Sequence, residues 1–255
     1  MVAIQQPRLY ASYPSPDGKW RVDITIYDCI KIRGGDEAGS YEYSYEQLIL
    51  MDPATGEQQL ADDQLIACGG LGGYGFDERF WSANNRYFYY TNAREGGPDG
   101  CGGYWSPPFL RLDVTDLITT YLGIGPRSPD EVNIAAQLWN DQESRNELRI
   151  WDIEGGESTR LPMYVPDVLM IGPIAWSLDG QRLVYIQVEN SCPVSGKSYL
   201  VLVDVTTQEQ TLLLVPESPT FGGVEWNSIN VLSLFDENGN EWRYNLLTHE
   251  LNQIP

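Results

Sequence analysis

A polar turn followed by a strand-like run recurs five times along this chain, and a repeat at such an interval constrains the architecture more than any single residue can. The copies are "SPDGKWRVDITIYD" at 15–28, "WSANNRYFYYTN" at 81–92, "RSPDEVNIAAQLW" at 127–139, "WSLDGQRLVYIQVEN" at 176–190 and "WNSINVLSLFDENG" at 226–239. Their anchors, Ser15, Ser82, Ser128, Ser177 and Asn227, are spaced by 67, 46, 49 and 50 residues. Each turn leads into residues rich in aromatic and β-branched side chains, which suit a pleated, half-buried strand.

Most copies continue into a second strand pair, as in "QLILMDPATGEQQL", "LRIWDIEGGESTRL", "YLVLVDVTTQEQTLLL" and "WRYNLLTHELNQI". An apolar run ends in Asp or another polar residue, a short turn follows, and the chain returns. A short apolar strand precedes the anchor in "IGPIAWS" and "FGGVEW", making four strands per unit. Four strands in a repeat of about 40–50 residues are the pattern of a β-propeller blade. The expectation is therefore an all-β chain, a single β-propeller domain over residues 1–255 with five blades. The second copy is irregular: in "FLRLDVTDLITTYLGIGP" Thr115 reads as the cap of a short helix through Leu122, stopped by Gly123. On that reading the alternative is four blades plus an insertion.

"SPDGKWRV", "WSLDGQRLVY" followed by "YLVLVDVTTQEQTLL", and the Trp of "VEWNS" resemble the TolB-type, WD-repeat-like propeller unit. Its consensus is a Trp-Ser-Pro-Asp-Gly turn, a strand, and a further strand ending in Asp. Copy two has Ala-Asn-Asn in place of Pro-Asp-Gly, copy three lacks the Trp, and copy five lacks both the Pro and the Asp. The same unit occurs in periplasmic partner-binding proteins and in propeller domains of serine peptidases, so the resemblance implies a fold and not a reaction.

Charge narrows the partners. Thirty-six acidic residues face 16 basic ones, for a net charge of −20. Such a surface repels nucleic-acid phosphates and anionic lipid, so a nucleic-acid partner is not expected. No run of 18 apolar residues suits a membrane span. The start, "MVAIQQPRLYASYPSP", lacks the basic and apolar regions of a signal peptide. That start fits either a cytoplasmic protein or one whose export signal has been removed.

Several motifs weaken on inspection. Gly70-Leu71-Gly72-Gly73-Tyr74-Gly75 is a literal G-x-G-x-x-G, but a strand toward Trp81 follows it where a dinucleotide site needs a helix. "SGKS" at 195–198 also leads into a strand, "YLVLVD", and Ser191 occupies the first glycine position of a P-loop. The one histidine, His249, falls in the last hairpin turn, where a solvated role is expected. In "DENGNEW" the glycine is misplaced for a calcium loop, and Asn238-Gly239 reads as a hairpin turn. No cofactor is expected, with calcium the one metal to consider.

If strands A to D run outward in each blade, the B-to-C loops and D-to-A links share one face. Residues 28–45, 91–108 and 189–198 read as B-to-C loops and 61–75 as a D-to-A link, and all four cysteines, Cys29, Cys68, Cys101 and Cys192, lie in them. That placement favours at least one disulfide, and with it an extracytoplasmic location; free thiols in a reducing cytoplasm are the alternative. The same face is expected to carry Tyr41, Tyr43, Tyr45, Tyr74, Tyr104 and Trp105 beside Asp36, Glu37, Asp77, Glu78 and Asp99. Flat aromatic faces with carboxylates suit a protein hot spot or a sugar ring. The expected function is a non-catalytic propeller recognising a protein or carbohydrate partner through this face. The alternative is a glycosidase-like enzyme with paired carboxylates, for which Asp77, Glu78, Asp23 and Glu225 are the candidates.

Overall fold

The computed structural model describes residues 7–33, 40–67, 75–92, 108–140, 142–143, 145–166, 170–191, 194–214 and 219–255. They fold into five antiparallel sheets. The first contains β1 (Arg8–Pro14), β2 (Arg21–Ile26), β3 (Ile30–Arg33), β4 (Ser40–Met51) and β5 (Gln58–Ala67). The second is β6 (Asp77–Trp81), β7 (Tyr87–Thr91), β8 (Phe109–Asp113) and β9 (Ile118–Gly123). The third is β10 (Asn133–Asn140), β11 (Arg145–Asp152) and β12 (Ser158–Leu161), and the bridges Ile124↔Gln137 and Arg127↔Ile134 add a short fourth segment beside β10. The fourth is β13 (Met170–Trp176), β14 (Arg182–Ser191), β15 (Val194–Asp204) and β16 (Gln210–Leu214). The fifth is β17 (Phe221–Ser228), β18 (Val231–Asp236), β19 (Glu241–Asn245) and β20 (Leu251–Gln253). The chain is an all-β protein of the β-propeller class with five blade sheets.

One expectation is corrected here. Thr115 starts no helix: residues 114–117 form a turn and β9 returns beside β8. The reason is that Asp113 repeats the turn chemistry of the other sheets. Asp113, Asp152, Asp204 and Asn245 end β8, β11, β15 and β19, and Asp52 directly follows β4. In each case the main-chain carbonyl accepts the N–H four residues on, from Gly56, Leu117, Gly156, Gln208 and His249, at 2.8–2.9 Å. Those five residues all have positive φ, from 58° at His249 to 75° at Gly56. Copy two is therefore a complete blade, and the reading as four blades plus an insertion falls.

The anchor serines explain the other repeat. Ser15, Ser82, Ser128 and Ser177 are at most 4% exposed. Each hydroxyl donates to the side chain two residues on (Asp17, Asn84, Asp130, Asp179) at 2.5–2.8 Å and accepts the N–H five residues on at 2.9–3.0 Å. The residue three after each serine, Gly18, Asn85, Glu131 or Gly180, has φ of 62–71°. The two turns of a sheet are also tied together, through Val114 N–H to Arg86 C=O, Ile153 to Val132, Val205 to Gln181 and Leu246 to Asn230, at 2.9–3.0 Å. In the first sheet that position is Pro53, which has no N–H to give.

The chain divides into two compact units, whose described residues run to Leu122 in the first and from Gly123 in the second. In the first, Val22, Ile24, Leu48, Leu50, Phe88, Tyr90, Leu110 and Leu112 form the core between its two sheets. All of β7, Tyr-Phe-Tyr-Tyr-Thr, is buried, as expected of a strand covered on both faces. The second unit has two cores. One joins Leu148 and Ile150 to Leu183, Tyr185 and Val201, and the other joins Val184, Ile186 and Leu200 to Trp226, Leu232 and Leu234. Neighbouring residues of β14 thus serve opposite cores, as period-2 geometry requires.

Candidate functional site

In an antiparallel meander the first-to-second and third-to-fourth turns lie at one end of the sheet, and the remaining connections lie at the other. The turn end is built five times from similar parts, whereas the opposite end carries the length differences. In the first sheet the second-to-third connection contains its own hairpin: β3 pairs with the start of β4, Ile30↔Tyr43 through Arg33↔Ser40. The expected loop at 28–45 is thus largely strand. The segments at 61–75 and 189–198 need the same correction, because β5 runs to Ala67 and β14 and β15 continue to Ser191 and from Val194.

The described part of this end in the first unit is aromatic and acidic. Tyr27 and Tyr45 lie 5.5 Å apart at 49°, and Tyr27 N–H donates to the Tyr45 carbonyl at 2.9 Å. The Tyr45 hydroxyl donates to the Asp63 carboxylate, which holds the phenol pKa above its ordinary value, with burial adding to the effect. Buried Ser44 donates to the Tyr27 carbonyl at 2.6 Å. Glu46, 5% exposed, accepts from Gln64 Nε2 at 2.9 Å and from the Phe76 N–H at 3.2 Å.

That last contact accounts for the final glycine of the G-x-G-x-x-G run. A Cβ on Gly75 would lie 2.7 Å from Glu46 Oε1, so a side chain there would push the carboxylate from its present place beside the Phe76 N–H. No helix N-terminus follows, since β6 begins at Asp77. In the second unit Ser198 plays the corresponding part, accepting the Phe221 N–H at 3.0 Å. The "SGKS" stretch lies in β15, with Gly196 at φ 81° and Lys197 N–H bonded to Glu189 at 3.0 Å. This is a hairpin and not a phosphate loop.

The predicted residues are placed unevenly. Tyr41 is a strand position opposite Ile32, and Tyr43 is half-buried between Ile30 and Ala67. Asp77 and Glu78 belong to β6, with Asp77 opposite Thr91; their side chains lie outside the described residues. Tyr74, Asp99, Tyr104 and Trp105, with Asp36 and Glu37, also lie outside them. Cys29 follows β2, is exposed and is disulfide-bonded; Cys68, Cys101 and Cys192 lie outside the described residues. Sequence reasoning missed Glu46 and Gln64. The alternation in "YSYEQLIL" carried a signal, because Ser44, Glu46, Leu48 and Leu50 are all buried on one face of β4.

Of the carboxylates considered for glycoside chemistry, Asp23 is engaged by Ser12 Oγ at 2.6 Å and by both Nε and Nη2 of Arg21 at 2.8 and 2.7 Å. Glu225 is an exposed residue of β17. Asp236 of "DENGNEW" accepts the N–H groups of Asn238 and Asn240 at 2.9 Å, Asn240 Nδ2 at 2.9 Å and Trp242 Nε1 at 3.0 Å. Its oxygens close the turn. His249 sits at the turn end, Nδ1 3.0 Å from the Tyr244 hydroxyl, which itself donates to Leu213 C=O at 3.1 Å.

No protein-family model matches the chain, and no curated protein matches it. Among solved structures it is similar to TolB from Acinetobacter baumannii, with 14% identity, 97% of this chain and 54% of that one covered, and a TM-score of 0.34. It is also similar to a chain of a nidogen/laminin complex (10% identity, 95% and 78% covered, TM-score 0.41). A third is the β-propeller domain of Myceliophteria thermophila Cps50 (Swd1), at 13% identity with 95% and 66% covered and a TM-score of 0.38. The chain spans about half the length of the TolB structure. The fold assignment rests on the five sheets themselves.

Proposed function

We propose that this protein is a non-catalytic β-propeller that binds a protein or glycan partner through the end of its sheets opposite the turns. The observation that supports this reading is the contrast between the two ends. At the turn end, serine, aspartate and main-chain groups bond one another in repeated networks. At the opposite end lie the longest connections, the β3–β4 hairpin and the Tyr27–Tyr45–Asp63 group. Binding residues concentrate on variable connections held by a rigid frame.

On this reading Tyr41, Tyr43, Tyr74, Tyr104 and Trp105 supply flat apolar contacts, and Asp77, Glu78 and Asp99 supply acceptors. Pairing among Cys29, Cys68, Cys101 and Cys192 would fix these segments before a partner arrives, which lowers the ordering cost of binding. Such pairing would suit a location outside the cytoplasm, where disulfides persist. The experiment is a screen of the full chain against a glycan array and a displayed peptide library, followed by replacement of residues 93–107 with a short Gly-Ser linker. The expected result is a selected binder whose affinity falls at least tenfold in the replaced protein, while the melting temperature is retained. Unchanged affinity for every selected binder would overturn the proposal.

A further inference from the structure

Toward its end opposite the turns, the third sheet groups three arginines that lie outside the residues assigned above to partner binding. Three of the chain's 16 basic residues, Arg145, Arg149 and Arg160, lie on adjacent strands β11 and β12, with Arg149 directly opposite Arg160. Beneath them Glu147 is only 2% exposed. One of its oxygens meets Arg149 Nε at 2.5 Å; the other meets Arg160 Nε at 2.9 Å and Asn140 Nδ2 at 3.0 Å. Arg149 Nη1 also donates to Ser158 Oγ at 3.0 Å. The buried carboxylate thereby sets the direction of the Arg160 fork and leaves its outer nitrogen facing away from the sheet.

Arg160 Nη2 reaches Glu143 Oε2 at 2.5 Å, and Arg145 Nε reaches the same oxygen at 2.7 Å. Glu143 is an exposed residue of the connection between β10 and β11. A hollow of about 310 Å³ lined by Arg145, Arg160 and Pro162 opens beside this contact. Two guanidinium groups converging on one oxygen, with open space next to them, form a receptor already filled by the chain's own carboxylate.

We propose that Arg145 and Arg160 form a binding site for a phosphate monoester group, and that Glu143 is the resident self-ligand which the phosphate displaces. The chemistry of displacement selects the ligand. A tethered carboxylate competes at an effective concentration of roughly millimolar or more, so a free monocarboxylate gains little by replacing it. A phosphate monoester carries about −1.5 to −2 charges and three acceptor oxygens, so it can take donors from both guanidinium forks at once. Arg160, and then Arg145, hold the Glu143 carboxyl at about 2, so the self-ligand is an anion throughout the physiological range.

Glu143→Gln tests this, because it removes the competing charge from an exposed turn and leaves both arginines in place. Titration with inorganic phosphate, followed by calorimetry on the full chain, is expected to give at least tenfold tighter binding to Glu143→Gln than to the parent. That gain is expected to disappear in Glu143→Gln/Arg160→Gln and to shrink in Glu143→Gln/Arg160→Lys, which keeps the charge and loses the fork. Circular dichroism establishes that each variant is folded. Equal phosphate binding by parent and Glu143→Gln, a gain that survives loss of Arg160, or equally tight binding of acetate each overturns the proposal. Parallel arms with free phosphoserine and a phosphoserine pentapeptide distinguish a small metabolite from a phosphorylated chain. Equal affinities assign the former and a tighter peptide the latter, both within the proposal. These readouts use inorganic phosphate and variants of the third sheet alone, so failure here and failure of the partner-binding proposal are distinguishable.

Discussion

The indole Nε1 of Trp176 donates to the main-chain carbonyl of Pro126 at 3.0 Å. Trp81 does the same to Tyr13 at 3.1 Å, and both acceptors lie two residues before an anchor serine, Ser128 and Ser15. Each indole therefore reads the position of the preceding sheet's turn, which gives the Trp of the repeat a structural role. Trp226, at the same place in the fifth sheet, is 8% exposed, and its Nε1 has no partner among the described residues. Its ring instead lies under Arg182, 5.3 Å from the guanidinium carbon.

This difference makes a paired test. Trp176→Phe and Trp226→Phe remove similar apolar volume, but only the first breaks a hydrogen bond, while the Pro126 carbonyl keeps the Ala135 N–H as a donor at 3.1 Å. It should destabilise the protein by about 0.5–1.5 kcal/mol more than the second. Urea unfolding of both variants measures this, and equal midpoints would remove the bond from the account.

Ser177 binds Asp179 at 2.6 Å, accepts the Arg182 N–H at 2.9 Å and is 1% exposed. Ser177→Ala leaves that N–H without its acceptor in a buried turn, a change that costs about 1–3 kcal/mol. For a chain of this size the melting temperature should fall by roughly 2–4 °C per kcal/mol. Asp179→Asn, which keeps an acceptor for the hydroxyl, should cost less in the same melting experiment.

Glu131 holds φ 62° where two of the other sheets have Gly18 and Gly180. A side chain in that region costs about 1–2 kcal/mol, partly offset by the entropy glycine loses on folding. Glu131→Gly should therefore stabilise the protein by roughly 0.5–1 kcal/mol. The reverse change at the equivalent site, Gly180→Ala, should destabilise it strongly, because a Cβ there would lie 2.4 Å from the Asp130 carboxyl carbon at φ 71°. Thermal melts of the two variants should move in opposite directions.

The turn carboxylates predict the acid limb of stability. The Ala54 N–H lowers the Asp52 pKa, the Thr207 N–H and hydroxyl lower that of Asp204, and the Ser177 hydroxyl with the Gln181 N–H lowers that of Asp179. Burial works to raise Asp113, but the Arg86 pair and Thr115 outweigh it and the result is again lowered. A folded pKa below the unfolded value means stability that is present above about pH 4 and lost as pH falls through the folded value. Urea midpoints should thus vary little through the carboxylates between pH 7 and roughly 5, then decline steadily below about 4. Asp204→Asn keeps an acceptor for the Thr207 groups and removes the titration, so its decline should be shallower.

The repeat made much of the fold legible, because a buried Ser, a left-handed third residue and a strand-ending Asp are local requirements written in local sequence. Four of the five anchors are serines for the hydrogen-bonding reason given above, and the turn of copy two was already written as Asp113-Val-Thr-Asp-Leu117. It was misread because Leu117 takes φ 60°, which glycine takes in two of the other sheets. Composition does not announce a leucine in that conformation; tertiary packing enforces it, since Leu117 lies against the core of the first unit.

The sequence by itself thus determined the all-β class, the repeat and its anchors, the acidic charge and the failure of the nucleotide-like glycines, since each depends on neighbours within a few positions. Tertiary structure alone decided that Gly75 makes room for Glu46, 29 positions earlier, and that Arg160 and Arg145 share Glu143. Those relationships depend on strand register, which brings distant residues face to face, and register follows from which side chains the neighbouring sheet can bury.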